Sequence, residues 1–509
     1  MKVRIFADAN LKIGAIDEHI YGSFIEHLGR AVYEGIYEPG HPTADKDGFR
    51  GDVAELIKEL SVPIVRYPGG NFLSGYRWED GIGPRDKRPV RLDLAWFTTE
   101  TNEFGTDEFM KWCKKTGIEP MMAVNMGTAG IMDAAHLVEY CNHAGGTQYS
   151  DLRREYGSQE PYRVKYWCIG NEMDGPWQIG HLSADDYGKK ALEAAKVMRW
   201  SNGEMDGNPG PDGKLKLIVS GSSNHEMPTF PEWDRTVLEH TYKEIDLLSM
   251  HRYYMYSDKR KRPLEDFLGS ADDMDEYIGT LRATIEYVRA KVRSQKRVGI
   301  SFDEWNIWTV SAPRTEPLWK RAPHLLEDVY TFQDSLVFAG LINTLLRNCD
   351  VVKAACLAQL VNVIAPIMTK KGGGTFRQTI FYPFCYAANN ARGETVRTIS
   401  DSDSFENMYG TARYINEAVT HNPEKREVNV FLCNYAQKSR DVELELRSFG
   451  KLAAADYAEM TCNNLFAVNG FDHLDTVVPH KKDLPSVRGG SKVSLRLPAM
   501  SWSFLKFTY

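Results

Sequence analysis

The chain has 509 residues, of which 42% are hydrophobic and 26% are charged, a balance typical of a soluble globular protein. It contains 62 lysines and arginines against 69 aspartates and glutamates, which gives a formal charge of −7. This charge argues against a nucleic-acid-binding protein and against a polybasic protein of the membrane surface. The length suggests about three domains at ~150 residues each, but two is equally fair because barrels often exceed 250 residues.

The first sixteen residues, MKVRIFADANLKIGAI, show neither the apolar run nor the cleavage site of a signal peptide, so we expect a cytoplasmic protein. The most apolar stretch, residues 351–368, is interrupted by polar residues and predicts a buried strand rather than a membrane span. The eight cysteines show no C-x-x-C spacing and are expected to be buried thiols. No metal-ligand motif is visible, and we expect neither a metal nor another cofactor.

Short apolar runs alternate with amphipathic stretches through the middle of the chain. The apolar runs predict strands at residues 20–25, 62–67, 120–124, 164–169, 215–220, 245–250, 298–302 and 352–357. The amphipathic stretches predict helices at residues 52–60, 106–116, 184–200, 272–293 and 330–347. This order predicts an α/β fold with a closed (β/α)8 TIM barrel over residues 20–385. The alternative, an open doubly wound sheet, would normally carry a G-x-G-x-x-G motif after its first strand, and none is there.

The pattern changes after about residue 385. Hydrophobic and polar residues alternate there, as in Val428, Val430 and Leu432, which predicts an antiparallel β-sandwich over residues 386–509. The N-terminal KVRIFAD alternates in the same way. We therefore predict that residues 1–19 supply a strand to this additional β-sandwich domain.

Polar side chains follow six of the predicted barrel strands. In chain order they are Glu26, Asn71, Asn171 with Glu172, His251 with Tyr253, Glu304 and Gln359. The C-terminal ends of barrel strands form the catalytic face of this fold. Polar groups collected at one buried face are costly for folding, which favours a functional role for them.

Two segments place a glutamate directly after a predicted strand: WCIGNEMDG at 167–175 and ISFDEWN at 300–306. They follow strands four and seven, on opposite sides of the barrel mouth, so Glu172 and Glu304 are expected to face each other across a ligand. Paired carboxylates with different surroundings are the groups that hydrolyse glycosides. The alternative interpretation of each glutamate alone is a surface or salt-bridged residue at a strand end.

Longer motifs carry a family resemblance. The segments YGSFIEHLGR (21–30), RYPGGNFLSGYRWEDGIGP (66–84), GNEMDGPWQIGH (170–181), SFDEWN (301–306) and LAQLVNVIAPI (357–367) resemble the family 51 α-L-arabinofuranosidases. The resemblance spans the barrel and continues more weakly beyond it. It implies a sandwich built from the C-terminal region and the extreme N-terminus, and it suggests a hexamer.

The resemblance also implies roles for individual residues. Glu172 would be the general acid/base and Glu304 the nucleophile. The expected substrate-binding residues are Glu26, Asn71, Asn171, His251, Tyr253, Gln359, Trp96 and Trp177. Taken alone, Glu26 could instead pair with Arg30 or Arg66. Arg252 departs from the uncharged residue expected between His251 and Tyr253, but it points to the other face of the strand, so the pocket should survive.

These observations predict an intracellular, retaining exo-α-L-arabinofuranosidase that acts on arabinan and arabinoxylan oligosaccharides. The near alternative is another retaining glycosidase on the same scaffold, such as a β-xylosidase or an endoglucanase. A non-catalytic sugar-binding protein would not need both glutamates. A phosphate-handling barrel isomerase would need a glycine-rich site after strands seven and eight, and AQLVNVIAP is not one.

Overall fold

The structure, a computed structural model, describes residues 2–205, 207–256, 263–309 and 314–509. Eight parallel strands close into a barrel in which each strand lies beside its neighbours in the chain and the eighth pairs with the first. The barrel strands, numbered one to eight below, are Gly22–Phe24, Ile64–Tyr67, Glu119–Val124, Tyr166–Ile169, Lys216–Val219, Leu247–Tyr254, Gly299–Ile307 and Val352–Leu357. The predicted barrel is confirmed, with all eight strands at the predicted places.

The α-helices cover the outside of the barrel. They are Gly51–Leu60, Thr106–Thr116, Ile131–Asn142, Gln148–Glu155, Ala184–Ser201, Glu232–Thr241, Leu264–Leu268, Ser270–Lys291, Phe332–Arg347 and Phe381–Asn390. The five predicted helices are present to within two residues at each end. Among the helices not named from the pattern, Gln148–Glu155 buries only Ser150 and Arg153 and therefore carries no apolar stripe. In the described ranges no helix is long and apolar enough to cross a bilayer.

A second, ten-stranded sheet lies beside the barrel. Its strands in chain order are Lys2–Ala15, Glu394–Ser400, Ile415–Asn422, Glu427–Asn434, Arg440–Arg447, Ala453–Thr461, His480–Lys481, Val487–Arg488, Lys492–Leu497 and Ser501–Thr508. The remaining strands of the described residues form three separate two-stranded hairpins: Arg91–Asp93 with Thr98–Glu100, Ile367–Thr369 with Thr375–Arg377, and Ser404–Asn407 with Gly410–Arg413.

The N-terminal strand lies in the middle of this sheet. It pairs antiparallel with Glu394–Ser400 and parallel with Arg440–Arg447. The sheet is therefore mixed and curled, whereas the alternating pattern predicted antiparallel pairing. Alternation reports which face of a strand is buried and carries no information on the direction of its neighbour. The buried residues Val3 and Ile5 lie beside Val442 and Leu444 in the core of this domain.

Helix Phe332–Arg347 joins the two units. Residues 332–346 are all buried because one face packs on barrel strand seven and another packs on the ten-stranded sheet. The Asn343 amide donates to Asn416 Oδ1 at 2.9 Å, and Arg347 donates to the Glu417 carbonyl at 2.8 Å. The sheet therefore supports the barrel from outside and leaves the strand ends open.

A charged histidine lies at the N-terminal ends of the barrel strands, opposite the cavity-forming C-terminal ends. His19 lies between Asp17 and Glu119, with Nδ1 2.8 Å from Asp17 Oδ1 and Nε2 2.9 Å from Glu119 Oε2. Burial opposes a charge on the ring, but the hydrogen bonds to both carboxylates outweigh it and raise the pKa of His19 to about 9. Because the folded pKa exceeds the ordinary value of about 6.5, His19 stabilises the fold fully below pH 6.5, and that contribution disappears as the pH rises through 9.

We expect His19→Gln to lower the melting temperature most at pH 6 and progressively less toward pH 10. Thermal unfolding of the wild type and the variant across this pH range measures the effect. The exposed His480 provides the matched control, and His480→Gln should change little at any pH. A deficit of constant size from pH 6 to pH 10 would show that His19 does not act through its charge.

Candidate active site

A cavity of about 540 Å³ opens at the C-terminal ends of the barrel strands. Eight of the ten predicted site residues line it: Glu26, Asn71, Trp96, Glu172, Trp177, Tyr253, Glu304 and Gln359. The other two, Asn171 and His251, are almost fully buried and do not line the cavity. Both are hydrogen-bonded to residues of the site: Asn171 accepts from Arg66, and His251 lies 2.9 Å from Glu172.

The two glutamates face each other in this cavity. Glu304 belongs to barrel strand seven and Glu172 follows strand four. One carboxylate oxygen of each, together with a ring nitrogen of His251, lie within 4.8 Å of one another. Glu172 has a φ of 42°, a left-handed conformation that costs a non-glycine residue about 1 kcal/mol and that is enriched at functional sites.

Different donors hold the two carboxylates. Glu304 Oε1 accepts from Arg66 Nη1 at 2.7 Å, and its Oε2 accepts from the Tyr253 hydroxyl at 2.9 Å. Glu172 Oε1 lies 2.9 Å from His251 Nδ1, and its Oε2 accepts from Trp177 Nε1 at 2.6 Å. Every carboxylate oxygen of the pair therefore has a partner, and both carboxylate planes are fixed.

Arg66 is a site residue that the sequence pattern did not identify. It lies on barrel strand two with its side chain fully buried, and besides Glu304 it donates to Asn171 Oδ1 at 2.6 Å. Its Nε is 3.5 Å from Asp303 Oδ2. The sequence signal for Arg66 was a single charged residue within the short apolar strand Ile64–Tyr67, all of which is buried. The alternative pairing of Glu26 with Arg30 or Arg66 is wrong, since Arg30 pairs with Glu327 at 2.7 Å.

His251 connects the two carboxylates. Its Nδ1 lies 2.9 Å from Glu172 and 3.6 Å from Glu304, and its Nε2 lies 3.5 Å from Asp303. Burial opposes its charge, but the charge of Glu304 and the bonds to Asp303 and Glu172 raise the pKa of His251 to about 10. His251 is therefore a cation at neutral pH.

Glu26 lies near Glu304, since a Cβ at Gly70 would be 3.1 Å from Glu26 Oε2 and 3.3 Å from Glu304 Oε1. Its Oε1 accepts from the Phe72 backbone N–H at 2.9 Å and from Trp96 Nε1 at 2.8 Å, and its backbone N–H donates to Gln359 at 3.0 Å. Burial raises the pKa of Glu26 to about 8, against these hydrogen bonds. A protonated Glu26 can donate to a hydroxyl as well as accept from one, which the sequence alone did not indicate.

Several further residues line the cavity without having been predicted. Trp308, two residues beyond the DEWN motif, packs edge-on against Tyr253 with ring centroids 5.5 Å apart. Asn224 and Glu226 come from the loop after barrel strand five, whose polar run SSNHE was the overlooked signal. Arg252 also lines the cavity, although it points away from His251 and Tyr253.

Two sequence-family profiles match the chain. The first is described as the α-L-arabinofuranosidase 1 domain and covers residues 56–262. The second is described as the α-L-arabinofuranosidase C-terminal domain and covers residues 303–501. The first match includes Glu172 and the second includes Glu304.

Characterised relatives match over nearly the full length. The intracellular exo-α-(1→5)-L-arabinofuranosidase 1 of Bacillus subtilis is 48% identical over 509 residues, covering 99% of each chain. The exo-α-(1→6)-L-arabinofuranosidase of Bifidobacterium longum is 46% identical, covering 98% of this chain and 96% of its own.

Two solved structures also match over the whole fold. A family 51 α-L-arabinofuranosidase of Bifidobacterium longum superposes with a TM-score of 0.93 at 41% identity, covering 99% of both chains. The arabinose complex of the Thermotoga maritima α-L-arabinofuranosidase superposes with a TM-score of 0.86 at 32% identity, covering both chains fully.

We expect EDTA to leave turnover unchanged. Glu172, His251 and Glu304 are close enough to hold a cation, but His251 is protonated up to about pH 10 and its ring nitrogens face carboxylates as donors. Activity assays before and after dialysis against EDTA measure this. Loss of turnover that a divalent metal restores would contradict the assignment of these groups to metal-free chemistry.

Proposed function

The chain belongs to the family 51 α-L-arabinofuranosidases, and from the geometry of its cavity we propose that it removes terminal α-L-arabinofuranosyl residues with net retention. The observation that carries the proposal is the facing pair Glu172 and Glu304, with carboxylate oxygens within 4.8 Å. Retaining glycosidases hold their carboxyl groups about 5–5.5 Å apart, whereas inverting enzymes leave ~6.5–9.5 Å for a water.

Glu304 is the nucleophile in this proposal. Arg66 and Tyr253 fix its carboxylate so that one oxygen can attack the anomeric carbon and form a glycosyl ester. Glu172 first gives its proton to the leaving oxygen and then takes a proton from the water that hydrolyses the ester. Its neighbours His251 and Trp177 hold it in line for both steps.

The sugar itself is bound by residues that follow barrel strands one, two and eight. Glu26, Asn71 and Gln359 offer donors and acceptors to the furanose hydroxyls. Asn171, oriented by Arg66, is assigned to the 2-hydroxyl, whose hydrogen bond strengthens in the transition state. The indole rings of Trp96 and Trp177 supply apolar faces for sugar C–H groups.

The substrates proposed are short oligosaccharides from arabinan or arabinoxylan. The Bacillus relative is named as an intracellular enzyme for (1→5) linkages, and the Bifidobacterium relative is named for (1→6) linkages. We place this chain inside the cell as well, where it would act on imported fragments. Residues 1–19 and 386–509 would form the supporting domain and residues 20–385 the catalytic one.

We further propose that the chain assembles into a hexamer. Exposed apolar side chains on two segments that meet at Phe97 and Trp319 support assembly. Leu92, Leu94, Phe97, Leu318 and Trp319 are each 38–59% exposed, and we call this set the apolar patch. The rings of Phe97 and Trp319 pack together at 5.8 Å, so the patch is continuous there.

Light scattering should give a particle of six 57.8 kDa chains, and Leu318→Asp should shift it to smaller species because it places a charge in the patch. The control Leu484→Asp alters an equally exposed leucine outside the patch and should leave the mass unchanged. A monomer in the wild type would exclude the assembly.

Replacing each of the two glutamates by alanine should affect activity in a different way, and this difference is the central test of the mechanism. Glu304→Ala should lose nearly all activity on every substrate because no glycosyl ester can form. Glu172→Ala should still be glycosylated by dinitrophenyl α-L-arabinofuranoside, whose leaving group needs no proton, and its ester should accumulate. Azide should then rescue it and yield the α-azide.

Proton NMR of the first product and of the azide adduct decides between the mechanisms. Net retention and the α-azide from Glu172→Ala are expected. An inverted first product, or a β-azide from that variant, would overturn the assignment of both residues.

A further inference from the structure

Part of the cavity wall comes from barrel strands five and six, beside strand four and Glu172, and we call this part the leaving-group lobe. It is formed by Asn224, Glu226, Arg252, Tyr254, Met255 and Tyr409. At about 30 Å³ per water, the 540 Å³ of the whole cavity would hold roughly eighteen water molecules, more than one pentose ring needs. The lobe therefore provides room for a second residue of the substrate.

The position of the lobe identifies which part of the substrate reaches it. The acid must lie on the side of the departing oxygen, so the leaving group occupies the part of the cavity next to Glu172 and away from Glu26. The loop that bears the lobe is tied to the acid's own loop: the Ser223 backbone N–H and hydroxyl both lie 3.0 Å from Asp174 Oδ2, two residues beyond Glu172.

Arg252 is the fixed centre of the lobe. Its side chain is only 5% exposed, and its Nε, Nη1 and Nη2 donate to Asp273 at 3.1 Å, Asn224 at 2.8 Å and Glu226 at 3.0 Å. The guanidinium lies over the Tyr254 ring, 5.2 Å from its centroid. A guanidinium has five N–H groups, so an anchored Arg252 still has donors for a ligand.

The charges of the lobe define the class of ligand. Glu226 and Asp273 together outweigh the single positive charge of Arg252, and Glu172 lies close by. An acidic group such as a uronate would be repelled here, whereas neutral hydroxyls find both donors and acceptors. Met255, next to the buried ring of Tyr254, adds an apolar part of the wall that suits the apolar face of a sugar ring.

We infer that the leaving-group lobe binds the sugar residue that precedes the departing oxygen, a neutral pentose recognised through its hydroxyls, and that Arg252 positions Asn224 and Glu226 for this. The inference rests on the proposed function. It assigns Arg252 to specificity for the leaving group and leaves the furanose site with the residues named above.

The test compares a substrate that has a second sugar with one that lacks it. The measured quantity is the ratio of kcat/KM on arabinobiose, (1→5)- or (1→6)-linked, whichever the wild type cleaves better, to kcat/KM on 4-nitrophenyl α-L-arabinofuranoside. In Glu226→Ala, Asn224→Ala and Arg252→Met this ratio should fall about tenfold or more, the loss expected for one hydrogen bond to a charged group.

Arg289→Met is the matched control. Arg289 pairs only with Glu286 on the outer helix among the bonds described for it, and its removal should leave the ratio unchanged. Arg252→Met leaves Asp273 buried beside it and can lower stability, so Glu226→Ala, whose side chain is 63% exposed, is the decisive variant. An unchanged ratio in Glu226→Ala and Asn224→Ala, or an equal loss on both substrates, would overturn the inference. A wild type inactive on the nitrophenyl glycoside would instead refute the proposed function.

Discussion

The catalytic cavity depends on the buried charge of Arg66. Its guanidinium contacts Glu304 and Asp303 on one strand and Asn171 beside the other glutamate. Removing a carboxylate from water costs several kcal/mol unless a partner of opposite charge compensates it, and for both acids Arg66 is the closest arginine, with His251 beside them. The pKa of Asp303 stays below its usual range, since Arg66 and His251 outweigh the effect of burial.

The proposed reaction keeps this charge balance constant. When Glu304 becomes an ester it loses a negative charge, and in the same step Glu172 gains one by giving up its proton. The cations Arg66 and His251 therefore face the same total charge before and after, and the negative charge moves only from one side of His251 to the other. Little reorganisation of the fixed groups is needed, which is the condition for electrostatic catalysis.

Much of this arrangement was predictable because barrel strands are short apolar runs, and the polar residues that directly follow them all meet at the C-terminal face of the barrel. Glu172, Glu304 and Glu26 were found in that way. Arg66 was not, since its partners come from other strands and the sequence gives no distances between them. The raised pKa of Glu26 is caused by burial, which is likewise a property of the folded chain. The alternation along strand six predicts that Arg252 faces away from His251 and Tyr253. It does not predict that the loop after strand five contacts Arg252 and that both then line the cavity, because loop paths have no sequence periodicity.

The place of the N-terminal strand has a consequence for biosynthesis. Residues 2–15 are synthesised long before their partners at 394–400 and 440–447. At about 5–20 residues per second, the strand waits roughly 20–90 s for the last of them, long after the eight barrel strands have been made. During that interval Val3 and Ile5 lack the sheet that later buries them, and an unpaired strand of this kind invites aggregation. Lys2 and Arg4, which alternate with them, act as charged gatekeepers, so the same alternation that builds the sheet also protects the nascent chain.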